Sequence, residues 1–100
     1  MDEVIRLADQ FRRRAQDVCD KPQDPRAVQL RSTLQAFFGD TKSRNDPDFL
    51  FERVKNIEAQ VQNLRNLDVY SPADVSDMYD RCQDLKVSLR ELSKRSNEGR

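Results

Sequence analysis

Asp77, Asp80 and Asp84 stand three and four residues apart, so on a helix they share one face, and a carboxylate ladder of that kind can hold a divalent cation. Helical di-metal sites, however, combine Glu with Glu-x-x-His, and this chain contains no histidine. The ladder therefore reads as a solvated face. Cys19, Cys82, Tyr70 and Tyr79 are the remaining reactive side chains, and no spacing sets a nucleophile beside a base. The two cysteines lack CxxC spacing and fall at apolar helical positions, which predicts buried, reduced thiols. Gly39 and Gly99 are the only glycines, too few for a phosphate-cradling loop. No catalytic residue, metal or cofactor is expected, and the chain is read as a non-enzyme.

The run "FRRRAQD" offers a second chemistry, because Arg12, Arg13 and Arg14 on one helix could contact phosphates. A plainer reading competes with it. Asp9 to Arg13 and Arg13 to Asp17 are i,i+4 pairs, and long arginine stems can shield the flanks of an apolar stripe. Thr41, Ser43 and Ser71 are candidate phosphorylation sites, the first two in a connection expected to be exposed and the third in a Ser-Pro step.

Eighteen basic and eighteen acidic residues give zero formal charge, so no net field draws the chain to a polyanion or an anionic membrane. Nucleic acid is a disfavoured partner. No apolar run approaches the roughly 20 residues that span a bilayer, and "MDEVIRLADQ" places acids where a secretory signal would carry bases. A cytoplasmic or otherwise intracellular location is the expectation. With 36% of residues hydrophobic, 36% charged and few Gly or Pro, the composition is that of thin amphipathic helices.

Four helices follow from periodicity and punctuation. Val4, Leu7, Ala8, Phe11, Ala15 and Val18 form one stripe over residues 2–20, which Pro22 is expected to end. Asp24-Pro25, Asp46-Pro47 and Ser71-Pro72 each supply a capping residue followed by proline in the first helical turn. Ala27, Leu30, Leu34 and Phe37 mark a second helix over 25–38, with Gly39 as its left-handed terminator. Leu50, Val54, Ile57, Val61 and Leu64 mark a third over 47–67. Val75, Met78, Cys82, Leu85, Leu89 and Leu92 mark a fourth over 72–95, and both of these stripes resemble heptad seams. Tyr70 and Val75 have the spacing of a hydrophobic staple across the Ser71 cap.

Short links favour antiparallel neighbours, so the expected fold is all-α: an up-down-up-down four-helix bundle, one domain over 1–95, with a frayed tail over 96–100. A helix 3/helix 4 hairpin longer than helix 2 would protrude, and the 39–48 connection could act as a hinge for exchanging hairpins between copies.

Phe37, Phe38, Phe49 and Phe51 flank that connection. Phe49, Leu50 and Phe51 are consecutive and cover about 200° of the helix circumference, more than a bundle normally buries. Phe38, Phe49 and Phe51 are therefore the candidate partner-binding residues, and the expected role is an adaptor, assembly or chaperone-like module that binds another protein or a second copy of itself. The alternative is a nucleic-acid or phosphate-binding regulator using Arg12, Arg13 and Arg14.

Overall fold

A computed structural model describes residues 2–19, 24–44, 46–67 and 70–98. Four helices run in chain order: α1 (Asp2–Val18), α2 (Pro25–Ser43), α3 (Pro47–Arg65) and α4 (Pro72–Glu98). There is no strand among the described residues, and the fold class is all-α. The capping residues named above open three of these helices. Asp24 accepts the Arg26 N–H at 2.8 Å, Asp46 accepts the Phe49 N–H at 3.2 Å, and the Ser71 hydroxyl accepts the Asp74 N–H at 3.1 Å. Each satisfies a donor that the first helical turn leaves unpaired.

Gly39 does not end the second helix, which continues to Ser43. The stripe Ala27, Leu30, Leu34, Phe37 gains one more member, Thr41, which is only 3% exposed. Its hydroxyl donates to the Phe38 carbonyl, so a polar side chain is buried without an unmet hydrogen bond. That packing outweighs the roughly 1 kcal/mol that glycine costs inside a helix. Gly39 itself sits on the outer side, where an added Cβ would meet nothing within 4 Å.

Two expectations change with this extension. Helices α2 and α3 each contain 19 residues, so the length mismatch between them is absent. Only α4, with 27 residues and a length of roughly 40 Å, outruns its neighbours. The 39–48 connection contracts to residues 44–46, leaving little chain to serve as a hinge. At the far end α4 continues to Glu98, past the point where fraying was expected. Pro22, Gly99 and Arg100 lie outside the described residues.

Every residue of the four sequence stripes is in the core or packed against its edge. The centre is built from Phe11 of α1, Leu30, Leu34 and Phe37 of α2, Leu50 and Ile57 of α3, and Met78, Leu85 and Leu89 of α4, none more than 2% exposed. Contact is most extensive between α3 and α4; α1 also meets α2 and α4, and α2 meets α3. Side-chain pairs join neighbouring helices. On α3 and α4, Asp48 meets Ser93 and Glu58 meets Gln83 and Lys86. On α1 and α4, Arg14 meets Asp74 and Asp77, while Val4 shares a surface groove with Ser88 and Leu92. The principal extents are 48 × 22 × 17 Å.

Candidate functional site

Phe37 and Phe38 lie on α2, and Phe49 and Phe51 in the first turns of α3, whose start meets α4 through Asp48 and Ser93. Phe37 is buried at 2% exposure, whereas Phe38, Phe49 and Phe51 are half-buried and pack against the edge of the core. They flank the stripes of α2 and α3, because each is adjacent in sequence to the buried Phe37 or Leu50 and therefore lies about 100° around its helix.

Each of these three rings carries two cations. Arg12 and Lys42 lie over Phe38 at 4.7 and 4.3 Å from the ring centre. Arg44 and Arg53 lie over Phe49 at 4.4 and 5.2 Å. Lys55 and Arg90 lie over Phe51 at 5.4 and 5.3 Å. Significant contacts of this type occur roughly once per 70–80 residues, so six on three rings are a concentration. The ring quadrupole attracts the cation but does not neutralise it. Arg12 pairs with Asp9, and Lys55 with Glu52 at 3.3 Å. Lys42, Arg44, Arg53 and Arg90 pair with no carboxylate among the described residues. The surface is thus aromatic underneath and cationic on top. Among large hydrophobic side chains only Val28 and Val87, on different helices, are exposed in the described residues, so no broad bare apolar patch accompanies it.

Spacing alone could have revealed half of this arrangement. Phe38 to Lys42, Phe49 to Arg53 and Phe51 to Lys55 are all i,i+4 pairs, which face each other on a helix. Arg12 and Arg90 reach their rings from other helices, and no local pattern announces them.

The arginine run is distributed among carboxylates. Arg12 and Arg13 both engage Asp9, the latter at 3.2 Å, and the Arg12 hydrogen bond holds the Asp9 carboxyl below the usual carboxylate range. Arg14 reaches across to α4, meeting Asp74 at 3.0 Å and Asp77 at 3.1 Å. Asp77 also accepts from Arg81, while Asp80 and Asp84 are exposed. The described residues contain no group of three or more His, Cys, Asp or Glu arranged to hold a metal ion.

Both cysteines are buried and unbridged. Burial raises the Cys19 thiol. For Cys82, burial together with the charge of Glu58 pushes the thiol up to about 12. Neither is a nucleophile near neutral pH. The Tyr70 hydroxyl lies near the Cys19 thiol outside hydrogen-bonding geometry and has no partner among the described residues. Of the hydroxyls considered for phosphorylation, Thr41 is buried, contrary to expectation. Ser43 is exposed and donates to the Gly39 carbonyl, and Ser71 is exposed and engaged as a cap.

No protein-family model, curated protein or solved structure matches the chain. No helix is long and apolar enough among the described residues to cross a membrane.

Proposed function

We propose that this chain is a non-enzymatic protein-interaction module, an adaptor or assembly-type helical bundle. It would present the end containing Phe38, Phe49 and Phe51 to a partner protein or to a second copy. The observation that carries this reading is the set of three half-buried rings, each held under two cations. Aromatic side chains and arginine are the residue types that dominate binding energy at protein interfaces.

The reading takes the bundle as up-down-up-down and antiparallel. Support comes from the reversed order of the interhelical pairs, in which the start of α3 meets the end of α4 and the start of α1 meets the end of α4. Reduced, buried thiols fit the interior of a cell. A phosphate-binding role for Arg12, Arg13 and Arg14 has weaker support, because each guanidinium already faces a carboxylate.

The test is the solution mass of the chain across concentration, alone and in the presence of candidate partners, for wild type and Phe49→Asp. Association that the substitution abolishes while the helical signal and melting curve stay close to wild type supports the reading. Association that is indifferent to Phe38, Phe49 and Phe51 alike would remove it.

A further inference from the structure

We infer that Ser93 is a phosphorylation site for an arginine-directed protein kinase, and that the phosphate draws Arg90 off the Phe51 ring. The site depends on the chain alone. Its effect on Phe51 rests on the interaction-module reading, because it regulates one of the three rings assigned there to a partner.

The recognition element lies beside the hydroxyl in the sequence. Arginine-directed kinases receive a base three residues before the acceptor in an acidic pocket, and Arg90-Glu91-Leu92-Ser93 supplies one. No other serine or threonine of the chain has Lys or Arg at that position. Ser43 and Ser71, although exposed, have Asp40 and Asp68 there. Arg90 pairs with no carboxylate among the described residues, so a kinase would not have to break an ion pair to take it.

The fold leaves this segment open to an enzyme. Ser93 meets Asp48, the second residue of α3, and α4 runs on past that point to Glu98. Arg90, Glu91, Lys94 and Arg95 are exposed. Between Arg90 and Arg95 only Leu92 packs against the core, at its edge. Drawing these residues out of the helix end therefore gives up little apolar burial, and helix ends are where local opening is cheapest.

In the transfer, the Ser93 oxygen attacks the γ-phosphorus of ATP. The Oγ–P bond forms, the bond from that phosphorus to the β,γ-bridging oxygen breaks, ADP leaves, and the hydroxyl proton passes to the catalytic carboxylate of the kinase. Two contacts then change. Unmodified Ser93 donates to Asp48 at 2.7 Å. The ester oxygen has no proton to give, and the phosphate sets a charge of about −1.5 to −2 against that carboxylate. Arg90 lies three residues back on the same side of α4, its guanidinium 5.3 Å from the Phe51 ring centre. A charge-assisted pair with phosphate is stronger than the ring contact, so the guanidinium moves and Phe51 loses one of its two covers.

Incubation of the full chain with Mg-ATP and purified calcium/calmodulin-dependent protein kinase, an arginine-directed enzyme, tests the site, with the phosphate located by mass spectrometry. Expected is a single phosphate on Ser93, lost in Ser93→Ala and formed at least tenfold more slowly in Arg90→Gln, both variants melting close to wild type. Ser43→Ala should be modified as wild type is. No uptake, uptake at another residue, or uptake indifferent to Arg90→Gln overturns the site.

In NMR spectra of the phosphorylated chain the Arg90 Nε–H and Phe51 ring signals should shift, while those of Arg53 and Phe49 stay in place. Unmoved Arg90 and Phe51 signals overturn the switch. If these signals move but association depends on none of Phe38, Phe49 and Phe51, the site and the switch stand and the interaction-module reading alone is refuted.

Discussion

Where α1 ends and α4 begins, Cys19, Tyr70 and Val75 close the core, and the nearby Arg14 is held between two carboxylates of α4. At the other end Phe49 and Phe51 pack against the edge of the core, and cations above them rest on the rings. Both ends bury apolar side chains beneath long charged ones. The difference lies in what balances the charge: a carboxylate cancels the field of a guanidinium at short range, whereas a ring only lowers its energy in place. Arg14 is paired with two carboxylates, whereas Arg44 and Arg53 over Phe49 pair with none among the described residues.

The sharpest way to break this comparison is to ask whether the inner and outer phenylalanines differ in kind. Phe37→Ala, at a fully packed position, is expected to cost about 3–5 kcal/mol in urea unfolding. Its half-exposed neighbour, Phe38→Ala, should cost less than half of that. Similar costs would mean that the aromatic end is simply core.

A titration examines how well the interior between the ends is sealed. The native Cys82 thiol is raised to about 12 by burial, above the roughly 8.5 of an unfolded thiol. Its contribution is thus fully present below the unfolded value and is lost as pH rises through about 12, because the unfolded chain gives up the proton first. The loss is on the order of 5 kcal/mol, and Cys82→Ala should flatten that limb of the pH–stability curve. At pH 8 neither cysteine should react with a thiol reagent until the protein unfolds. Rapid labelling of Cys19 alone would show that the end thought closed is the open one.

Capping provides a smaller and more even effect. Ser71→Ala at one end and Asp46→Ala at the other should each lower stability by about 1 kcal/mol, since each removes one acceptor from a helix N-terminus. The smallest contrast is electrostatic. Arg14→Gln should cost about 0.5 kcal/mol at low salt, as expected for a pair whose side chains are near 40% exposed, and Arg44→Gln close to nothing. A larger cost for Arg44 would reveal an intramolecular carboxylate at the aromatic end.

Much of this protein is legible in its sequence because helices announce themselves locally. Apolar residues at three- and four-residue intervals, and an Asp-Pro or Ser-Pro pair at each of three starts, act within one or two turns of chain. All four stripes lie at the core or its edge, and all three capping side chains accept the expected N–H groups. The reading of Gly39 as a terminator failed because Thr41 looks polar in the sequence. Whether it can be buried depends on the Phe38 carbonyl, on its own helix, and on the neighbouring helices that cover it.

The aromatic cluster was visible as letters, and three of its six cation contacts as i,i+4 spacings. What the letters could not give was the pairing of Arg12 with Phe38, of Arg90 with Phe51, or of Arg14 with Asp74 and Asp77, which lie 60 and 63 residues away. By itself the sequence determined the all-α class, three helix starts and the buried stripes, since these follow from backbone hydrogen bonding and short-range periodicity. The tertiary structure alone decided which of the charges meet a carboxylate and which lie over a ring. Charges interact through space, and the fold sets their distances.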